Sequence, residues 1–529
     1  MKALLLPLAL ALVVGPQAPR WPSSTPPAPL SARDAQFPPY EVRTLPNGLR
    51  IVVVVHREQP AVSLRAIVQA GSAQDPAGRP GVAAMVATLL DQGTADRTAQ
   101  QVAETIDGVG GQLATGLGRD LSFVNVVVMK DDLALGAGLV ADVLRNPAFA
   151  PGEIERQRQQ VLSGLAVAGQ DPSYLADVVF DRLVYGEHPY GYPANGTVES
   201  VGAITRDDLL AFHRAYYAPN NTVLAVVGDV AVDEAMGEVG KALGDWASRE
   251  VPSPPAVTPP EPARRVVVID RPDAAQTEIR VGQLGVPRKV PDYTAVDLLI
   301  KVLGGEGANR LHRVLRVERG LTYSASADLE SLKQAGEFTA QTSTRAETTG
   351  EALRVMVDEF WRLRREQVGD RELASAKAYL TGHFPLTIET PEQIATQILN
   401  GLFYDLPLVE LETYRQRVNA VTSEDVARAA SRLVPDRLCA VLVGNAAAFA
   451  PQLQRVGFPR FELIPADRLD VLSPTLEKKD PPVAIARATG GVRPRVPPPP
   501  RACWPRALRA SPSRRAPHAA PGAALHRPA

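Results

Sequence analysis

Two residues with hydrogen-bond donors lie seven positions apart in the stretch "LRVERGLTY", at Arg316 and Tyr323. A guanidinium and a phenol can both donate to a peptide carbonyl, and both can stabilise the oxyanion that forms when water attacks that carbonyl. The same residues also suit a structural role, with Arg316 as a surface charge on a helix and Tyr323 at the start of a strand. The residue types alone leave both roles open.

Histidines in this sequence do not follow the spacing of a metal site. His56, His188 and His213 are far apart, and no two of them stand at i and i+4 or within one short loop, the spacings that metal ligands use. His188 precedes a proline in "HPYG". These residues therefore indicate no metal site built from histidine.

The elements that must position Arg316 and Tyr323 belong to a repeated pattern. Alternating apolar residues predict strands in "LRIVVVVH" and "AVSLRAIVQAG", followed by a helix in "GRPGVAAMVATLLDQG". The same order recurs in "ARRVVVIDRP", "TEIRVGQLGVP" and "DYTAVDLLIKVLGG". Both blocks end on a capped amphipathic helix and an apolar strand that closes on Gly, at 204–230 and 421–446. The sequence predicts two homologous α+β domains, each an antiparallel-rich β-sheet with helices packed on one face.

Composition sets the boundaries of these domains. An apolar run after Lys2 and small residues near Ala18 predict a signal peptide over 1–18, which is too short for a membrane span. The signal predicts an exported protein, periplasmic or extracellular. The other boundaries are a Pro/Ser-rich spacer (19–38), the first domain (39–250), a Pro-rich linker (251–264), the second domain (265–458) and a Pro/Arg/Ala-rich, mostly disordered tail (459–529).

Charge and hydrophobic content narrow the range of partners. The formal net charge of -1 at pH 7 provides no attraction to nucleic acid or to an anionic membrane. Hydrophobic residues make up 45% of the chain and charged residues 22%, the ordinary balance of a soluble globular protein. We therefore expect no nucleic-acid partner and no membrane span.

Five stretches between residues 39 and 450 resemble, in order, the insulinase/pitrilysin family of zinc metallopeptidases, most closely the bacterial relatives of the processing peptidases. The resemblance implies the family's two-domain fold, which forms one half of a clamshell. The stretches are "LPNGLRIVVV", "AGSAQDPAGRPGVAAMVATLLDQGT", "HPYGYPANGTVESVGAITRDDLLAFHRAYYAPNNTVLAVVGDV", "LGGEGANRLHRVLRVERGLTYSASA" and "KAYLTGHFPLTIETPE".

The zinc motif of that family is lost in this sequence. Active members carry His-x-x-Glu-His on the helix that corresponds to "GVAAMVATLLDQG" here. The two His bind zinc, and the Glu takes a proton from the metal-bound water. Aligned on the Gly-Thr that follows, those positions hold Ala84, Ala87 and Thr88. The family's downstream Glu-Glu pair, which includes the third ligand, is replaced by Ser163 and Gly164. A methyl group offers no lone pair, so the resemblance implies a chain that binds no zinc and has no catalytic base.

The resemblance favours a functional role for Arg316 and Tyr323. In active relatives, an Arg and a Tyr with this spacing hold the substrate backbone beside the zinc. Bacterial and organellar relatives often divide activity between a zinc-bearing chain and a degenerate chain that supplies substrate contacts. We therefore predict a non-catalytic subunit that pairs with a zinc-bearing homologue, with the zinc in that partner and unstructured peptides as substrates. Two alternatives stay open: a scaffold or peptide-binding protein, and a divergent active metallopeptidase.

Overall fold

Two six-stranded sheets form the framework of the protein in a computed structural model, which describes residues 36–254, 257–261, 263–305 and 309–478. The predicted signal peptide, most of the spacer and the tail beyond 478 lie outside these residues. The first sheet contains β1 (Tyr40–Thr44), β2 (Arg50–Val55), β3 (Ala61–Val68), β4 (Gln112–Leu117), β5 (Ser122–Met129) and β6 (Thr222–Gly228). The second contains β7 (Val266–Asp270), β8 (Gln276–Leu284), β9 (Thr322–Ser331), β10 (Gly336–Arg345), β11 (Cys439–Gly444) and β12 (Glu462–Pro465).

The two sheets share one strand order. The first runs β1-β2-β6-β3-β5-β4 and the second runs β12-β7-β11-β8-β10-β9, so β2 to β6 correspond one by one with β7 to β11. The pair β2 and β6 is parallel, as is β7 and β11, and the other corresponding pairs are antiparallel. This shared order confirms the duplicated α+β fold predicted from the sequence.

Helices connect the strands in both halves, and none in the described residues is long and apolar enough to cross a bilayer. The first half has α1 (Val82–Leu89), α2 (Ala99–Asp107), α3 (Leu133–Arg145), α4 (Pro151–Ala168), α5 (Pro172–Tyr185), α6 (Val198–Ala203), α7 (Arg206–Tyr216) and α8 (Val232–Leu243). The second half has α9 (Tyr293–Gly304), a π-helix (His312–Glu318), α10 (Thr349–Arg365), α11 (Asp370–His383), α12 (Pro391–Phe403), α13 (Val409–Glu412), α14 (Tyr414–Ala420), α15 (Ser423–Ala430) and α16 (Ala446–Arg455).

The helix and strand that end each repeated block, at 204–230 and 421–446, form as the sequence predicts. Thr205 caps α7 and Thr422 caps α15, and each hydroxyl accepts a hydrogen bond from the backbone N–H of an aspartate three residues later. The strands that follow, β6 and β11, are buried along their whole length. The two segments therefore share capping and burial, and β6 and β11 also hold the same place in the strand order of their sheets.

Each sheet is covered on its second face by a helix from the other half. Helix α12 lies across β3 and β6 of the first sheet, and its side chains Ile394, Ile398 and Phe403 are at most 1% exposed. Helix α5 packs in the same way on β8 and β11 of the second sheet, where Ala176 and Val179 are buried. Burial of one large aliphatic or aromatic side chain contributes about 1.5–3 kcal/mol. Helices therefore cover both faces of each sheet, and not one face as predicted. The helix on the second face comes from the other half of the chain.

The second domain extends past residue 458, where the sequence analysis placed its end. Strand β12 pairs in parallel with β7, and Ile464 is buried against the second sheet. The pairing satisfies backbone groups along the edge of β7, and composition cannot show this contact because it depends on a distant strand. The described residues of the 251–264 linker form no helix or strand.

Candidate functional site

A half-buried aspartate fixes the start of α1. The carboxylate of Asp75 accepts hydrogen bonds from the backbone N–H groups of Gly81 and Ala83, both at 2.7 Å. Gly81 has a φ of +101°, which a glycine adopts without strain. Burial raises the pKa of Asp75 to about 7, although both hydrogen bonds lower it. These contacts determine which face of α1 turns inward.

The three positions of the lost zinc motif on α1 are packed. Ala84 is 5% exposed and Ala87 is 0% exposed, so both methyl groups lie inside the protein. The hydroxyl of Thr88 lies 3.0 Å from the carbonyl oxygen of Ala84 and 3.2 Å from that of Met85. A threonine hydroxyl that donates to the preceding turn is bonded within its own helix. This face of α1 serves packing.

The two positions of the lost downstream pair lie on α4, beside α1. Ser163 and Gly164 are exposed, and a Cβ added to Gly164 would meet no atom within 4 Å. The side-chain amide of Gln157 on α4 donates to the carbonyl of Thr88 at 3.3 Å and joins the two helices. Space for an acidic side chain therefore remains on α4, whereas its former partners on α1 are gone.

The residues at this place do not fit a zinc ion. Zinc needs three or four nitrogen, sulfur or oxygen ligands, and two methyl groups, two hydroxyls and a glycine do not supply them. Across the described part of the chain, no group of three or more His, Cys, Asp or Glu could hold a metal ion. His213 is occupied elsewhere: its Nε2 lies 2.8 Å from the carbonyl of Leu144, and burial lowers its pKa to about 4. His188 Nε2 lies 3.0 Å from Gln334 Oε1.

Arg316 and Tyr323 are brought together at the surface of the second half. The guanidinium carbon of Arg316 lies 4.5 Å from the centroid of the Tyr323 ring, a cation–π arrangement. Arg316 Nη1 lies 3.4 Å from His312 Nε2, one turn earlier on the π-helix. Tyr323 is 81% exposed, and no carboxylate contacts Arg316 within the described residues. Both groups therefore present donors to whatever binds here.

A β-bulge turns Tyr323 outward. Thr342 of β10 is opposite Ala325 and Thr344 is opposite Thr322, so both Tyr323 and Ser324 face the single residue between Thr342 and Thr344. A bulge of this kind bends its strand and redirects a side chain, and bulges are frequent beside binding sites. The hydroxyls of Thr322 and Thr342 lie 2.9 Å apart, and each is 2.8 Å from the carbonyl of Ser324. Side-chain hydroxyls thus hold the bulge in place.

A groove of about 760 Å³ opens beside this pair. It lies between the π-helix, β9 and the first turns of α11, and Val317 and Ser324 form parts of its wall. Val317 follows Arg316 in the chain and Ser324 follows Tyr323, so the groove and the donor pair are neighbours. The arrangement can hold an extended peptide backbone at the pair and a side chain in the groove.

Comparison with known proteins places both halves in one family. Residues 50–193 match the family model described as "Insulinase (Peptidase family M16)", and residues 203–380 match the model described as "Peptidase M16 inactive domain". An uncharacterized zinc protease of Mycobacterium bovis is 30% identical over 408 residues, which are 76% of this chain and 92% of the relative. The chain belongs to the insulinase family, peptidase family M16.

Solved structures agree with this assignment. A peptidase M16 inactive domain from Pseudomonas fluorescens superposes with a TM-score of 0.73 at 30% identity, covering 77% of this chain and 98% of that one. A protease from Helicobacter pylori has a TM-score of 0.72 at 21% identity, which supports the fold alone. The words "inactive domain" describe the match over residues 203–380, which excludes α1 and α4. The loss at Ala84, Ala87 and Thr88 is a separate feature, and it makes this chain an insulinase-family member without the catalytic motif.

Sequence reasoning missed the residue that ties the two halves of this insulinase-family chain together. Arg119, in the turn between β4 and β5, donates to Asp181 on α5 and to the carbonyl of Tyr190. Its Nε also lies 3.6 Å from Glu330 on β9 of the second half. Burial lowers the pKa of Arg119, but the charges of Asp181 and Glu330 outweigh burial and raise it. An arginine in a short turn carries no sequence signal for such a role.

A second contact lies beside Arg119. The next residue, Asp120, accepts hydrogen bonds from the Tyr190 hydroxyl at 2.5 Å and from the backbone N–H of Lys333 at 2.8 Å. Lys333 lies in the turn between β9 and β10, so the same first-half turn also touches the second half at this point. The only hint in the sequence is the adjacent Arg-Asp pair between two predicted strands.

Proposed function

We propose that this protein is the non-catalytic subunit of a heterodimeric insulinase-family zinc metallopeptidase. It presents Arg316 and Tyr323 to a peptide that is cleaved at the metal of a zinc-bearing homologue. The protein is exported to the periplasm or beyond the cell, and its substrates are unstructured peptides, because a closed chamber admits only chains that can thread into it.

The observation that carries the proposal is the state of Arg316 and Tyr323. A surface arginine without a carboxylate partner among the described residues and a tyrosine that is 81% exposed contribute little to folding, yet a π-helix and a bulge hold them against each other. Irregular backbone of this kind is found frequently at functional sites. The pair is therefore shaped for a ligand, and a peptide carbonyl is the acceptor that suits two adjacent donors.

The action of these two residues follows from their chemistry. The guanidinium of Arg316 carries a fixed charge and donates through several N–H groups, so it orients the carbonyl of the bound peptide. The Tyr323 hydroxyl adds a second donor, and both stabilise the negative charge that develops on the carbonyl oxygen as water attacks. The attacking water and its base belong to the partner, because Ala84, Ala87 and Thr88 supply neither.

Copurification tests the assembly. The tagged chain is isolated from its native envelope fraction, and stoichiometric companions are identified by mass spectrometry. The expected companion is a homologue with intact His-x-x-Glu-His. Recovery of this chain alone, as a monomer or homodimer, would contradict the proposal and leave a scaffold or peptide-binding protein. Peptide cleavage by the purified chain alone, blocked by a chelator, would instead support the divergent peptidase.

Turnover by the reconstituted pair tests the residues. Arg316→Ala is expected to lower kcat by roughly 10- to 100-fold with assembly unchanged, since loss of one oxyanion donor has effects of that order or larger. Tyr323→Phe, which keeps the ring against Arg316 and removes only the hydroxyl, is expected to lower kcat less. Arg364→Ala on α10, an exposed arginine away from the pair, is the matched control. Unchanged turnover in Arg316→Ala would remove the residue from the mechanism.

A further inference from the structure

The groove beside Arg316 and Tyr323 has an excess of positive charge. Arg313 and Arg371 line it from the π-helix and from α11, and Glu372 is its one acidic wall residue among those described. Glu372 is already occupied, because Arg310 binds both of its carboxylate oxygens at 3.0 and 2.8 Å and Arg313 lies 3.6 Å away. Burial raises the pKa of Glu372, but Arg310 and Arg313 more than offset this and lower it, so the carboxylate stays ionised.

Several donors at this place lack a partner. Arg371 is exposed, and within the described residues neither it nor Arg316 contacts a carboxylate. Arg310 is only 4% exposed, and its Nη1 is buried without a hydrogen-bond acceptor among the described residues. Arg310 is not among the residues that line the groove, and its other guanidinium nitrogens hold Glu372 in place. Among the described residues, Arg313 and Arg371 are the arginines of the groove wall, and Arg313 also lies 3.5 Å from Glu318.

We infer that this groove selects peptides by an acidic side chain, an aspartate or glutamate, that lies next to the backbone held by Arg316 and Tyr323. The inference deepens the proposed function and rests on it, since it names the class of peptide presented to the partner. A carboxylate in the groove meets Arg371 and Arg313, and the apolar wall at Val317 covers the stem of the side chain. A lysine in the same place would face Arg371 and Arg313, and the one acidic wall residue described, Glu372, is already bound by Arg310, so the lysine would be repelled.

Peptide binding by the full chain, without a partner, tests this inference. Three fluorescein-labelled unstructured 12-residue peptides differ only at two central positions, which are Asp, Asn or Lys, and their Kd values are measured by fluorescence anisotropy. The Asp peptide is expected to bind roughly tenfold more tightly than the Asn peptide and the Lys peptide more weakly than both. The Asp advantage should shrink as sodium chloride is raised from 50 to 500 mM.

Charge reversal assigns the effect to the groove. Arg371→Glu combined with Arg313→Glu is expected to abolish the preference for the Asp peptide. Arg364→Glu combined with Arg460→Glu makes the same charge change at exposed positions that do not line the groove, and it should retain the preference. Equal binding of all three peptides, no binding of any, or an unchanged preference in the double variant would overturn the inference. The proposed function is judged separately, because loss of turnover in Arg316→Ala can stand even if acidic and neutral peptides bind equally.

Discussion

The two halves of this chain hold the same strand order but treat their functional positions in opposite ways. In the first half, Ala84 and Ala87 are buried in α1 and Thr88 bonds to its own helix. In the second half, Arg316 and Tyr323 stand at the surface, stacked on each other and without an acidic partner in the described residues. In the first half these positions hold side chains that pack inside the protein. In the second half they hold exposed side chains that contribute little to the core.

The difference teaches where a constraint on the sequence comes from. Once the ligands on α1 are gone, small apolar residues are the stable choice for a helix that must stay in the core. Exposed aromatic and charged side chains gain little from folding, so their arrangement by a π-helix and a bulge supports the proposed binding role. The contrast can be tested by changing residues in each half and between them.

The largest effect is expected where the halves join. Arg119→Ala leaves the half-buried Asp181 and the exposed Glu330 without their shared cation, and it removes the donor to the Tyr190 carbonyl. Loss of one partner from a buried ion pair costs about 3–5 kcal/mol, and we expect a decrease in the free energy of unfolding near the lower limit because these side chains are partly exposed. Urea unfolding of the purified chain measures it.

Arg119→Lys provides the control for this joint. Lysine keeps the charge but cannot reach two acceptors with a planar fork, so it should recover only part of the lost stability. A decrease of less than about 1 kcal/mol in Arg119→Ala would show that α5 and α12 hold the halves together without this contact.

A loss of comparable size is expected when a glutamate is restored to α1 at the position of the family's base. Ala87→Glu places a carboxylate at a position with 0% exposure, so we expect a decrease of about 3 kcal/mol in the free energy of unfolding. Ala166→Glu on the exposed side of α4 makes the same chemical change, and thermal unfolding should show almost no difference from the wild type. Equal stability of Ala87→Glu and the wild type would mean that α1 still has room for a carboxylate at position 87, contrary to the burial of Ala87.

Local patterns in the sequence predicted most of the framework. The strand predicted in "LRIVVVVH" and the capped helices before β6 and β11 depend on neighbours in the chain, and they formed as expected. The burial of β2 does not alternate, because both faces of its sheet are covered. The loss of zinc ligands and the spacing of Arg316 and Tyr323 could also be read directly. These features need no knowledge of distant contacts.

Contacts between distant segments could not be predicted. The exchange of α5 and α12 depends on which sheet face each helix meets, and an amphipathic pattern does not contain that information. The stacking of Arg316 on Tyr323 needs a π-helix and a one-residue bulge, and neither has a signature in the residue types. Arg119 was missed for the same reason, because its partners Asp181 and Glu330 are distant in sequence.

The pH dependence of stability gives a moderate effect near α1. Burial raises the pKa of Asp75 to about 7, above its value in an unfolded chain, so the folded state binds more protons at mildly acid pH. The contribution of Asp75 is therefore most favourable below about pH 4 and declines as pH rises to about 7. As the pH rises from 5 to 8, Asp75→Asn should gain about 2–3 kcal/mol in unfolding free energy relative to the wild type.

Asp131→Asn, an exposed aspartate before α3, serves as the control for this measurement. Its difference from the wild type in urea unfolding should stay constant over the same pH interval. A constant difference in Asp75→Asn as well would mean that the carboxylate capping α1 is ionised throughout, and that the start of the helix is better hydrated than its burial indicates.

The smallest effect on stability belongs to the second half. Arg316→Ala and Tyr323→Ala remove exposed groups whose mutual contact is worth about 0.5–1 kcal/mol, so each should change the free energy of unfolding by no more than that amount. Urea unfolding of each variant checks it, with Leu315→Ala beside them as a buried reference expected to cost about 2–5 kcal/mol. A loss of 2 kcal/mol or more in Arg316→Ala would show that the residue is retained for folding. A small change in stability together with a large loss of turnover in the assembled pair would separate binding from folding at this site.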